Sequence, residues 1–196
     1  MRASEGHRGK FILAHADALY SNGILEGFLS GLANLLELQA IERDGIEIRF
    51  LNGEPDRRLV RELGLEENVV YTRILSKFGS TMSCLAQSDA LLFIQRGACN
   101  GYIPEKFFQL LTLRTRVLAV VPNPVAYEEY ASGKNGVYIV ENRNQANIAK
   151  TFLQLYRDWK ENPVREAEAL VVRQVWTLEQ LDSGERVIRP SARNAA

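Results

Sequence analysis

The chain has 196 residues and a mass of 22.1 kDa, 46% of them hydrophobic and 24% charged, so it can bury a full core without disulfide or metal staples. Its 24 basic residues balance 24 acidic ones, which removes the bulk positive field that nucleic acid or an anionic membrane would need; any basic site must be local. The two cysteines, Cys84 and Cys99, lack metal-ligand spacing, and no apolar run nears the roughly 20 residues of a membrane span.

The opening "MRASEGHRGK" is polar and does not read as a signal peptide, which points to a cytoplasmic or cytoplasm-facing protein with reduced thiols. "FILAHA", Phe11 to Ala16, is a short continuous apolar run like a buried strand. After Ser21-Asn22-Gly23, the spacing of Ile24, Leu25, Phe28, Leu29, Leu32, Leu35 and Leu36 predicts a helix. "IEIRFL" reads as a strand over Ile46 to Leu51, Asp56 to Leu63 as a helix, "NVVYT" as a strand from Asn68 to Thr72, and Ser76 to Ser88 as a helix. "DALLFI", a short helix from Pro104 to Leu113, "RVLAVV", a helix-like "VAYEEYAS", "GVYIV" and a long helical pattern from Asn144 to Glu161 complete the alternation.

Six strands that are mostly apolar on both faces, alternating with helices, predict an α/β fold: a Rossmann-like doubly wound parallel sheet. The expected organisation is an N-terminal extension over 1–9, one domain over 10–163, and a last helix ("VREAEALVVRQVWTLEQL") and tail over 164–196. Arg186, Arg189 and Arg193 in that tail read as a solvated end.

In such a sheet ligands sit beyond the carboxyl ends of the strands, where strand order reverses. The loop from Gln95 to Ile103 follows a strand and lies at that edge. Gly97 and Gly101 permit close backbone approach, and Pro104 suits a first helical turn. Amides around Tyr102 to Lys106 would then face an anion with the helix dipole behind them. The plainer reading, that Gly101 and Pro104 only turn the chain, stands beside it on geometry.

"GYIPEKFFQLLTLRTRVLAVVPNP", Gly101 to Pro124, resembles the nucleotide-sugar-binding segment in the C-terminal domain of retaining GT-B glycosyltransferases of family 4, also called group 1. The pattern there is approximately I-P-x-K-x-F-E-Y-L-A-x-G-x-P-V-L-A. Ile103, Pro104, Lys106, Phe108, Leu111, Val117, Leu118 and Ala119 fall on it in register. "ALYSN", "IEIRFLNGEP", "LGLEENVVYTRIL", "CLAQSDALLFIQ" and "NIAKTFLQLYRDW" resemble the surrounding segments of the same domain in the same order, over roughly residues 10 to 180.

The resemblance implies one half of a GT-B fold: 10–163 would bind a nucleotide-diphosphate sugar as donor substrate, with no further cofactor and no metal. It implies that the base lies against the loop after "NVVYT", at Arg73 and Ile74. It puts the ribose and diphosphate on the short helix, at Gly101, Tyr102, Ile103, Lys106 and Gln109. Catalytic groups are not assigned, because the family shares them with an N-terminal domain; that domain would be supplied in cis or by a partner subunit. Transfer by the isolated chain is not expected, and membrane association would come only through such a partner.

The sequence departs from the family at the donor site. Gly101 and Gln109 stand where many members carry two glutamates, so the ribose would lose a charge-assisted acceptor. Between Lys10 and Arg43 there is no Lys or Arg, so the family's diphosphate clamp is missing. Asp17, Arg73 and Arg114 replace glycines, and Arg73 and Lys106 could return some positive charge. These departures keep open a second reading: a non-catalytic Rossmann-like partner or scaffold module with a degenerate donor site. A fragment of a GT-B-fold epimerase or phosphorylase is a third.

Among other residues, His7 reads as solvated; His15, at the end of the first strand near the expected inter-domain cleft, could assist binding, with a satisfied structural histidine as the favoured reading. Cys99 lacks a recognisable base, and Glu128 to Tyr130 reads as an exposed helix face. Tyr71, Tyr102, Phe107 and Phe108 fall near the loops that would hold a base, although Phe108 also fits the core.

Overall fold

A computed structural model describes residues 9–16, 23–74, 78–97, 102–113, 115–134 and 136–162. Its strands are β1 (Phe11–His15), β2 (Ile46–Leu51), β3 (Val69–Thr72), β4 (Ala90–Ile94), β5 (Arg116–Val121) and β6 (Val137–Glu141). The α-helices are α1 (Gly23–Glu37), α2 (Arg57–Glu62), α3 (Phe78–Ala86), α4 (Glu105–Thr112), α5 (Pro124–Ala131) and α6 (Gln145–Glu161). All strand pairs are parallel, in the order β3-β2-β1-β4-β5-β6. The chain thus forms the doubly wound α/β sheet that its double-faced apolar strands predict.

Alternate residues of each strand point to opposite faces, and the two faces carry separate cores. Phe11, Leu13, Ile46, Ile48, Phe50, Leu118 and Val120 pack with Leu25, Phe28, Leu29 and Leu32 of α1 and Ile148, Phe152 and Leu155 of α6. On the other face Ala14, Leu91, Phe93, Val117 and Ala119 pack with Leu85 of α3, Phe107 and Leu110 of α4 and Tyr127 of α5. Gly31 lets α1 approach α6 closely, since a Cβ there would lie 3.0 Å from that of Ala149.

Side chains stop and start the elements as their chemistry dictates. Asp56 caps α2 by accepting from the Arg58 amide at 2.8 Å, and Asn144 caps α6 by accepting from the Asn147 amide at 3.0 Å. Pro124 occupies the first turn of α5, where its missing N–H costs nothing. Pro104 behaves differently from the expectation: it is the N-cap of α4, with φ −58° and ψ 137°, one position before the first turn. Its fixed φ suits either position; the extended ψ excludes it from the helix.

The carboxyl ends of all six strands lie along one edge of the sheet, and the chain leaves β1 and β4 toward opposite faces there. That divergence, between adjacent β1 and β4, is the switch point.

Candidate functional site

The amphipathic pattern of α4 decides which of its side chains remain available at the switch point. Phe107 and Leu110 are fully buried, while Phe108 and Leu111 are partly buried against the same core. Glu105, Lys106 and Gln109 are left outside that core, Glu105 exposed and the other two half-buried. Lys106 reaches across the switch point, and its Nζ donates to the carbonyl of Ala16, the residue after β1. A helix that follows β4 thereby delivers an ammonium group to the carboxyl end of β1.

One turn of helix separates Glu105 from Gln109, and their side chains meet: Gln109 Nε2 donates to Glu105 Oε1 at 2.9 Å. This engages the amide as donor and turns its oxygen into the available acceptor. The Gln109 carbonyl in turn accepts from Thr112 Oγ1 at 2.7 Å. The start of α4 therefore presents a cation, a carboxylate and an amide side by side.

The second group of expected residues lies beyond β3. Asn52 follows β2 with φ 65°, a left-handed conformation that asparagine tolerates better than most residues. Its Oδ1 accepts from the Ile74 amide at 2.7 Å, and its own amide donates to the Thr72 carbonyl at 3.0 Å. Those two bonds tie the loop after β3 to the end of β2. Ile74 packs partly into the core shared with Ile103, whereas Arg73 is exposed. β3 lies three strands from β4, roughly 14 Å at ordinary strand spacing, so Arg73 and Ile74 belong to the far end of the same edge as Lys106.

Of the aromatic residues near these loops, Phe107 is unavailable to a base: it is 0% exposed, with its ring 4.9 Å from Tyr127 and 5.4 Å from Phe93. Phe108 stacks edge-on against Tyr130 at 5.2 Å. Tyr102 is 69% exposed and Tyr71 lies on the edge strand, so the four do not form one platform. His15 is buried and donates from Nδ1 to the Leu92 carbonyl at 2.8 Å; since a carbonyl only accepts, that nitrogen carries the proton. That is the environment of a hydrogen-bonded core histidine, with its ring edge-on to Phe50 at 5.9 Å. Of the expected exposed face Glu128 to Tyr130, Glu128 and Glu129 are exposed on α5, but Tyr130 is half-buried, because its ring packs against Phe108 and the core beneath it.

Gly101, Asp17, Arg114, Cys99 and His7 lie outside the described residues, as do the last helix and tail. Among the described residues no group of His, Cys, Asp and Glu could hold a metal ion, and no helix is long and apolar enough to cross a membrane. The titrations that are displaced by burial are those of Tyr138 and Tyr156, near the opposite, amino-terminal edge. Three groups that sequence reasoning did not single out bond to the expected residues: Glu105, Asn52 and the Ala16 carbonyl. The i, i+4 spacing of Glu105 and Gln109 and the Asn-Gly pair after β2 were legible signals; a backbone carbonyl gives none.

No protein-family model matches the chain, and no curated protein matches it in sequence. Solved structures do match in fold. The C-terminal domain of a glycosyl transferase group 1 family protein (LpcC) from Francisella tularensis aligns with a TM-score of 0.59 at 15% identity, covering 78% of each chain. WaaG, a glycosyltransferase involved in lipopolysaccharide biosynthesis, aligns with a TM-score of 0.58 at 17% identity, over 80% of this chain and 42% of its own. A variant of S. aureus TarM, solved with UDP, aligns with a TM-score of 0.56 at 12% identity, over 80% of this chain. The chain spans only 30% of the length of TarM. Its fold is that of the C-terminal domain of GT-B glycosyltransferases.

Proposed function

We propose that this chain supplies the donor-binding half of a glycosyltransferase active site, holding a nucleotide-diphosphate sugar along the carboxyl edge of the sheet, with a second domain in cis or on a partner subunit completing the site. The observation that carries the reading is the contact of Lys106 with Ala16 across the switch point, because it puts positive charge where the parallel-sheet rule locates a ligand. Two helix starts, those of α1 and α4, flank the same crevice and add their dipoles to that charge. A diphosphate would lie at Lys106 and the amides of Tyr102 and Ile103. The ribose hydroxyls would meet Glu105 and the Gln109 oxygen. The base would extend toward Ile74, with Asn52 fixing the loop and Arg73 at its outer rim.

Glu105 changes the account of the donor site. The amide at 109 cannot offer a charge-assisted acceptor, but the carboxylate it is bonded to can. UDP, present in the TarM structure, is the first ligand to test.

A second reading, a partner or scaffold module without nucleotide affinity, is favoured by one observation: no Lys or Arg occurs between Lys10 and Arg43, so α1 and its approach bring no cation to the crevice. Arg57, which follows β2, is ion-paired with Glu54. Calorimetric titration of the full chain with UDP, GDP and ADP and their common sugar conjugates decides between the readings. Saturable binding to one base supports donor binding; no heat at millimolar ligand, together with an intact fold, supports the scaffold.

A further inference from the structure

At the carboxyl edge the ladder between β4 and β5 runs into a proline. Ile94 is the register partner of Val120, and one residue further on the Gln95 amide donates to the Val120 carbonyl at 3.0 Å. In a parallel ladder a residue bonded in that way returns its carbonyl to the amide two positions further along the neighbour, here residue 122. Residue 122 is a proline and has no N–H to give.

A side chain from beyond the next strand supplies a donor instead. Asn142 follows β6, and its backbone amide continues the β5–β6 ladder by donating to the Val121 carbonyl at 2.9 Å. Its Nδ2 crosses the end of β5 and donates to the Gln95 carbonyl at 3.0 Å, in a part-buried bond. Gln95 carries the link onward: its Nε2 lies 3.5 Å from the Tyr102 carbonyl, the long end of hydrogen-bonding distance. That carbonyl belongs to the peptide whose other polar group is the Ile103 amide, and in a planar trans peptide the two point in opposite directions. A donor on the Tyr102 carbonyl therefore fixes where the Ile103 N–H is aimed.

We propose that Asn142 is a positioning residue for the turn before α4, acting through Gln95 in place of the backbone donor that Pro122 lacks. Its effect on a ligand rests on the donor-binding reading, which gives the Ile103 amide to the diphosphate. β6 lies two strands from β4, so a change at residue 142 would reach the anion without touching it. A bond that merely closed the end of the sheet would affect stability alone. A bond that aims the Ile103 amide changes ligand affinity while the fold stays constant.

Asn142→Ala, Pro122→Ala and the double variant of the full chain test this, with circular dichroism to confirm that each is folded. Hydrogen exchange at the Gln95 amide, the Ile103 amide resonance and the calorimetric affinity for UDP are measured in each. Asn142→Ala should speed exchange at Gln95, move the Ile103 resonance and weaken UDP about fivefold, the scale of one lost hydrogen bond. Pro122→Ala alone should change little, because the Gln95 carbonyl has two lone pairs and can accept from both donors. In P122A/N142A the new backbone amide at residue 122 takes over the ladder bond, and all three quantities should return toward those of the natural chain. An unmoved Ile103 resonance in Asn142→Ala, a loss that the double variant does not recover, or undiminished UDP affinity beside a moved resonance overturns the proposal. A natural chain that binds no UDP refutes the donor-binding reading; exchange at Gln95 and the Ile103 resonance then still decide whether Asn142 holds the turn.

Discussion

Lys106 and Ala16 are 90 residues apart in the chain, yet the ammonium group of one donates to the carbonyl of the other. The bond joins the first turn of α4 to the end of β1 and concentrates charge at the switch point between β1 and β4. Replacing Lys106 with Ala removes that charge while leaving the buried face of α4, Phe107 and Leu110, untouched. Affinity for a nucleoside diphosphate should fall about tenfold to a hundredfold, the range for a hydrogen bond to a charged group, with little change for the nucleoside. Calorimetry with UDP and uridine side by side checks this. Equal loss for both ligands would move the diphosphate away from Lys106.

Gln109 and Glu105 form one unit, so a single substitution at 109 disturbs both. Gln109→Glu offers the ribose a charged acceptor, but it also breaks the 2.9 Å bond and sets two carboxylates at i, i+4. The expected gain in nucleotide affinity is therefore small in the single variant, and the helix loses about 0.5 kcal/mol. The exchange E105Q/Q109E keeps an amide–carboxylate pair and only reverses its direction. It should bind nucleotide more tightly than Gln109→Glu alone, measured by the same titration. Tightest binding in the single variant would mean that Glu105 takes no part in the ribose contact.

The contrast between α4 and the loops explains how much of this was legible in the sequence. Continuous apolar runs such as "RVLAVV" and "DALLFI" admit little besides buried parallel strands, and the six strands and six α-helices follow within one or two residues, apart from helix starts outside the described residues. The short α4 was legible because Ile103, Phe107, Phe108 and Leu110 alternate with polar residues at helical spacing. Pro104 was placed one residue too far inside the helix, because its φ suits both positions and only ψ separates them. Phe107 was read as a candidate stacking residue, since local spacing cannot reveal that Phe93 and Tyr127 close over it. The Lys106–Ala16 and Asn52–Ile74 bonds were illegible for the same reason: each joins segments whose approach is decided by the sheet order, not by neighbours in sequence.

Asn52 combines a left-handed backbone with a side-chain bond to the Ile74 amide, and the two contributions can be separated by substitution. Asn52→Gly keeps the conformation and loses the bond. Asn52→Ala loses the bond and adds backbone strain, so it should cost about 1–2 kcal/mol in urea unfolding and clearly more than the glycine variant. Both variants release the loop after β3, and hydrogen exchange at Ile74 should accelerate in each. Equal destabilisation by Gly and Ala would show that the positive φ is not held in solution.

Tyr138 links β6 to the end of α6, where its hydroxyl donates to Asp158 Oδ2 at 2.5 Å. Burial, reinforced by that bond, pushes its pKa up from 10.0 to about 12, and burial raises Tyr156 in the same direction. Because the folded state holds the proton more tightly than the unfolded chain, this contribution to stability is complete below pH 10 and is lost as pH rises toward 12. Unfolding midpoints measured from pH 8 upward should therefore decline above about pH 10. Tyr138→Phe removes the bond to Asp158 and should cost about 1 kcal/mol at neutral pH. The gap between the variant and the natural chain should narrow through the alkaline range, with Tyr156 leaving a residual slope in both. A gap that stays constant to the highest pH measured would mean that Tyr138 titrates alike in the folded and unfolded chain, and that Asp158 does not hold its proton.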